Sequence, residues 1–171
     1  YMVVRVPVRS VYAASDSMLT LIGDEAMSGA MDKITLSAFD AQSCDVETLT
    51  LRLASGEVEV AGAPENPEYA VLLKQACDLA ILPPAFADSR VLGTDETVPS
   101  GLDDEQAQTL KDVADRLSML GIPAFVDLSG MEESDAGRLE WLKVYGLLLD
   151  CEDAANALYE QAAADLAVEA A

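Results

Sequence analysis

Four stretches of this chain place hydroxyls, a thioether or an aromatic ring where an apolar run gives way to a polar or helix-forming one. They are Ser15-Asp16-Ser17-Met18, Ser37-Ala38-Phe39-Asp40, Pro83 to Asp88, and Ser129 to Glu133. Free backbone amides at helix starts, beside such side chains, suit the grip of a small molecule more than its transformation. The candidate ligand-contacting residues are Ser15, Asp16, Ser17, Met18, Phe39, Pro84, Phe86, Ser129 and Met131. Arg138 joins them, one turn into the helix expected after Ser129-Gly130, where a guanidinium could reach a cleft edge and orient an acidic ligand group. The plainer alternative for Arg138 is a surface ion pair with Glu133 or Asp135. The four stretches have a plainer alternative too, since any α/β domain has strand-to-helix turns.

The catalytic patterns are missing. Histidine is absent, which removes the commonest general base and the commonest metal ligand together. No Gly-rich phosphate loop and no Gly-x-Gly-x-x-Gly follows an apolar run, and no nucleophile elbow is present. Acidic clusters at Asp103-Asp104-Glu105 and Glu132-Glu133 could hold a hard cation. Both precede helices, where acidic side chains complement the free amides. Cys44, Cys77 and Cys151 are too scattered for a disulfide framework or a thiolate zinc site, and nothing supports a Cys44–Cys151 pairing. Cys77, at the mouth of an apolar strand, is expected to be buried and inert. Trp141, Leu142, Tyr145 and Leu149 fall at helical spacing and read as a core stripe. No catalytic residue, cofactor or resident metal is expected.

Composition narrows the partners. Asp and Glu number 31 against 10 Lys and Arg, a formal net charge of −21 over 171 residues. That field repels phosphate backbones, so nucleic-acid binding through a basic patch is excluded, and strongly anionic ligands are disfavoured. With 51% hydrophobic but only 5% aromatic residues, one core built on Ala, Leu, Val and Ile is expected. No apolar run approaches the roughly 20 residues of a membrane helix.

The elements that must position these residues follow a regular order. Apolar β-prone runs at Ser10–Ala14, Ile34–Leu36, Asp78–Leu82 and Ile122–Leu128 alternate along the chain with helix-forming stretches, the first of which closes at Gly23-Asp24. Further helices are expected from Asn66-Pro67-Glu68 to Gln75, from a polar loop at about 93–101 through Leu110, Val113 and Leu117 to Gly121, and over 134–149 and 152 onward. Thr48-Leu49-Thr50-Leu51-Arg52-Leu53 and Glu57-Val58-Glu59-Val60 alternate with period two about Ala54-Ser55-Gly56, and read as a half-exposed hairpin. The fold expected is α/β, a parallel β-sheet flanked by helices in a three-layer, Rossmann-like lobe, with a β-hairpin inserted at about 48–60. Residues 1–150 would form the lobe. Residues 151–171 would begin a longer helix, because the Ala-rich end reads as cut part-way. No signal peptide precedes Tyr1, so the chain is expected to be a trimmed or mature piece.

Several segments carry a resemblance in order: Ala13-Ala14-Ser15-Asp16-Ser17-Met18-Leu19; Asn66-Pro67-Glu68-Tyr69-Ala70-Val71-Leu72-Leu73 with Cys77-Asp78-Leu79-Ala80-Ile81; Leu120-Gly121-Ile122-Pro123-Ala124-Phe125-Val126; Gly137 to Gly146; and Asp153-Ala154-Ala155. Together they resemble the N-terminal lobe of class III periplasmic binding proteins, the solute-binding components of ABC importers for ferric siderophores, haem or cobalamin. The resemblance implies a partner lobe beyond Ala171 of the same chain, a metal chelate held between the lobes, and a lipoprotein or secreted form that delivers it to a membrane permease and ATPase. It implies an extracytoplasmic location. It also implies that the isolated lobe grips ligand weakly, because closure needs both lobes. Family members carry a permease-docking glutamate shortly after the tyrosine of the Tyr69 region. Here that place is Ala70, and Glu68 is the nearest acid. Leu82-Pro83-Pro84-Ala85-Phe86 stands where the family has polar residues, which implies a more apolar cleft. The alternatives are a flavodoxin-like binding or regulatory domain acting through protein partners, and an enzyme domain using acidic residues with a divalent metal.

Overall fold

A computed structural model describes residues 3–23, 27, 29–93 and 101–169 of the chain. Asp24 and the polar loop over 94–100 lie outside the described residues. Five strands form one sheet: β1 (Val11–Ala13), β2 (Ile34–Ser37), β3 (Glu59–Val60), β4 (Leu79–Leu82) and β5 (Ala124–Val126). Every pairing is parallel, in the order β3-β2-β1-β4-β5. Ala80, Ile81 and Leu82 stand opposite Ala124, Phe125 and Val126, and Val11, Tyr12 and Ala13 opposite Leu79, Ala80 and Ile81. Between β1 and β2 the register slips once, after Val11. The continuous apolar runs have their cause here, because a parallel sheet covered on both faces leaves its strands no wet side.

Alternate strand residues feed two cores. Val11, Ala13, Ile34, Leu79 and Ile81 face one side, where they meet α1 (Asp16–Ile22), α2 (Glu47–Ser55), α6 (Asp135–Leu149) and α7 (Glu152–Glu169). Tyr12, Ala14, Leu36, Ala80 and Leu82 face the other, where they meet α3 (Tyr69–Lys74), α4 (Ser89–Leu92) and α5 (Asp104–Met119). The result is the three-layer α/β lobe expected. Ala107, Leu110, Val113 and Leu117 form the buried stripe of α5. Asp103 and Gln106 close a capping box at its start, so the acidic cluster there is spent on the helix end. At the far end of the chain α7 packs on α6, with Ala155 fully buried.

The hairpin is not formed. Residues 47–55 are helix α2, and only Glu59–Val60 is strand, paired in parallel with β2. A period-two apolar pattern also contains an i, i+4 pair, so Leu49 and Leu53 can share one helix face. Leu49 is fully buried, Leu53 packs against the same core, and Leu51 is left 63% exposed. Two adjacent parallel strands need a crossover rather than a tight turn, and α2 supplies it. Gly56, expected to turn a hairpin, sits at φ +78 and ends α2, with Glu57 N–H donating back to the Arg52 carbonyl at 3.0 Å.

Candidate functional site

All five strands run the same way, so the turns that leave them gather at one carboxyl edge of the sheet. The chain steps outward from β1 through β2 to β3, then returns to the other side of β1 for β4 and β5. In open α/β sheets such a reversal is the usual place for a ligand, beyond the carboxyl ends of the strands.

The β1 turn and the β5 turn are joined beneath the surface. Ser15 occupies the N-cap position of α1, but its hydroxyl does not cap the helix. It donates instead to Asp127 Oδ2 at 2.6 Å. Asp127 follows β5 and is 0% exposed. Its Oδ1 accepts from the Ser129 N–H at 2.9 Å and from the Tyr145 hydroxyl of α6 at 2.5 Å. Burial, then the Asp127 charge and its hydrogen bond, push the Tyr145 phenol well above its ordinary range. The Ser129 hydroxyl is buried beside that phenol without a hydrogen bond of good geometry. Gly130, in the short 3-10 turn Ser129–Met131, lies so close to Ser17 that a Cβ there would clash with its hydroxyl and force Ser17 aside. Trp141 of α6 donates its indole N–H to Glu132 Oε1 at 2.9 Å and meets Phe125 edge-on, with ring centres 6.1 Å apart.

The other two turns are tied separately. In the β2 turn the Ser37 hydroxyl accepts from the Phe39 N–H at 2.9 Å. Asp40 is exposed, and its carboxyl is held below the ordinary range by the Ser43 hydroxyl first and then by the Gln42 and Ser43 amides. After β4, Pro84–Ala87 forms a 3-10 turn. Arg90 clips it to the start of α5, bonding Asp88 at 2.7 Å, the Leu102 carbonyl at 3.0 Å and Asp104 at 2.9 Å.

The candidate residues therefore divide. Asp16, Ser17, Phe39, Pro84 and Met131 are exposed or half-exposed at the carboxyl edge, Met131 at 45%. Met18 and Phe86, expected to meet a ligand, point into the two cores with at most 1% exposed. Each is the third residue of its helix or turn, where an apolar side chain is drawn under the sheet edge whenever the core has room for it. Ser15 and Ser129 are fully buried and act behind the surface. Arg138 is not at the cleft edge. It lines a groove between α6 and α7 with Leu139, Ala162 and Asp165, and pairs loosely with Asp135 at 3.6 Å, the plainer of its two readings. Glu68 is exposed at the N-cap of α3, on the connection that leaves β3, so it shares the carboxyl edge. Asp127 is not among the sequence-based candidates, and Glu132 figures there only in the acidic pair Glu132-Glu133 rather than as the partner of Trp141. An acid at the end of the apolar run Ile122–Leu128 was the available signal, because a buried carboxylate needs donors gathered for it.

None of the four turns contains Lys or Arg, whereas Asp16, Asp40 and Glu133 are exposed on them. Among the described residues no group of three His, Cys, Asp or Glu could hold a metal ion. Among the described residues no helix is long and apolar enough to cross a membrane. The three cysteines are free. Cys77 is buried, and burial pushes its thiol up to about 11.

No protein-family model matches the chain, and no curated protein matches its sequence. Among solved structures it is similar to SirA of Staphylococcus aureus, solved complexed with staphyloferrin B. The TM-score is 0.54 with 13% sequence identity, over 93% of this chain and 42% of that one. At that identity the likeness is one of fold, and this chain spans less than half the length of SirA.

Proposed function

We propose that this chain is one lobe of an extracytoplasmic solute-binding protein of an ABC importer. In this reading it does not catalyse; it holds a metal chelate at the carboxyl edge of its sheet, against a second lobe. The observation that supports it most is the fold likeness to part of a chain solved with a small molecule bound, over nearly the whole of this one. The ordered sequence resemblance to class III binding proteins points the same way. The flavodoxin-like alternative loses ground on topology, since flavodoxin-like sheets run 2-1-3-4-5 and this one runs 3-2-1-4-5.

The edge also bears on which chelate fits. Without a cation on any of the four turns, a neutral or cationic chelate meets no repulsion there, whereas a carboxylate-rich one does. Glu68, exposed on the same edge, is the residue proposed to meet the permease. A thermal-shift panel on the full-length protein tests the reading, using a ferric trihydroxamate, ferric staphyloferrin B, haem and a corrinoid. A ligand at about 100 times its Kd adds about 2.7 kcal/mol to stability, a shift of several degrees. The trihydroxamate and corrinoid are expected to raise Tm more than the carboxylate-bearing pair. If none of the four moves Tm, the chelate reading fails. Heat and stabilisation on titration with calcium, magnesium or manganese would favour the metal-enzyme alternative instead.

A further inference from the structure

Asp127 is fully buried, and among the described residues its partners are three neutral donors: the Ser15 hydroxyl, the Ser129 amide and the Tyr145 hydroxyl. A carboxylate left in a core is costly unless its lone pairs are filled, and an apolar side chain of similar size would serve stability as well or better. What the carboxylate does that no apolar group could is hold three separate pieces of chain at once. Those pieces are the β1 turn, the β5 turn and α6. We propose that Asp127 is the positioning residue of the ligand edge: it locks the β1 and β5 turns into one preformed half-site, with Asp16, Ser17 and Met131 set on its outer surface. This rests on the carboxyl edge being the ligand face.

Alanine at position 127 removes every acceptor at once and leaves the Ser15 hydroxyl, the Ser129 amide and the Tyr145 hydroxyl without their partner. Asparagine would keep most of the tie, since its oxygen can serve the two donors that Oδ1 serves while its NH2 group donates to the Ser15 hydroxyl, which also accepts. The contact of Gly130 with Ser17 continues the tie toward the surface. The Trp141 bond to Glu132 braces the far side of the β5 turn from the same helix that supplies Tyr145. The β2 and β4 turns have their own fastenings, Ser37 to Phe39 and Arg90 to Asp88 and Asp104, and share none of these groups. A loss at Asp127 should therefore loosen two turns of the four.

Amide hydrogen exchange on the full-length protein, read by mass spectrometry, tests this. In Asp127→Ala, exchange over 16–19 and 129–132 is expected to quicken about tenfold or more, while 37–40 and 84–88 stay as in the wild type. Emission of Trp141, the single tryptophan, should shift to the red in the same variant. Ser15→Ala added to Asp127→Ala should leave the β1 turn no looser than Asp127→Ala alone. Unchanged exchange in both turns, or an equal rise in all four, would overturn the proposal; the second result marks a general stabiliser. Should Asp127→Ala fail to fold, Tyr145→Phe removes one donor, keeps the ring and is judged by the same pattern at lower amplitude. Titration with a ferric trihydroxamate, followed by Trp141 quenching, separates this proposal from the function reading. If the wild type binds, Asp127→Ala should weaken affinity about tenfold, and equal affinity overturns the positioning role. If the wild type does not bind, that chelate is removed from the function reading and the exchange pattern alone decides the role of Asp127.

Discussion

Tyr12 and Tyr145 hold their phenolic protons at pH values where an exposed tyrosine gives them up. Burial is the first cause for both, followed by the charge of Glu65 near Tyr12 and of Asp127 near Tyr145. Tyr12 donates to the Gly62 carbonyl at 2.7 Å, so it is hydrogen-bonded as a neutral group. The sign of the pH effect follows. The unfolded chain releases these protons near the ordinary value of 10.0 while the folded chain keeps them, so the folded state binds more protons above that pH. Stability is full below the unfolded values and falls as pH rises through them toward the raised folded ones. Cys77 starts the decline earlier, since its ordinary value is 9.0 and its folded value about 11. Urea unfolding between about pH 8 and about pH 11 should show a falling midpoint, with each such group adding a slope of about 1.4 kcal/mol per pH unit. Tyr145→Phe should flatten the part of that slope above about pH 10. A midpoint level across the range would mean that water reaches these phenols.

Among the elements, α2 shows how far a hydrophobic pattern reaches. In a hairpin, Leu49, Leu51 and Leu53 would share one face and similar burial. In the helix, Leu49 is fully buried and Leu51 mostly exposed. Leu49→Ala should therefore cost about 2–5 kcal/mol in chemical denaturation, whereas Leu51→Ala should fall within about 0.5 kcal/mol of the wild type. Equal costs would restore the hairpin. Other elements gave less ambiguity. The run Leu79–Leu82 between Asp78 and Pro83-Pro84 admits one reading, because proline ends the strand and four apolar residues in succession need a sheet wet on neither face. The α5 stripe is as plain, with a capping box at one end and Gly121 just past the other.

Over the whole molecule, the carboxyl edge gathers some candidate residues and disperses others. Met131 stands at its surface, while Arg138 belongs to the groove between α6 and α7. Met131→Ala should weaken binding of whichever chelate raises Tm by about 1 kcal/mol, about fivefold in Kd. Arg138→Ala should leave that Kd unchanged, as read by calorimetric titration. If Arg138→Ala weakens binding and Met131→Ala does not, the ligand face lies along α6 rather than at the strand ends. The excess of acid over base, 31 residues against 10, sets a field in which salt should weaken capture of a cationic chelate and leave a neutral one nearly unaffected.

Local sequence settled the class of fold, because strand runs, helix stripes, caps and prolines act over a few residues and need no distant partner to be recognised. It marked the four turns for the same reason. The order of strands came from tertiary structure, since nothing within one run says which neighbour it pairs with. So did the division of those turns into ligand-facing and core residues: Ser15, Met18 and Phe86 read like Ser17, Phe39 and Met131 until the layers close over them. Asp127 is the clearest case. Its donors come from positions 15, 129 and 145, and only the packing of β1, β5 and α6 around one buried carboxylate brings them within reach.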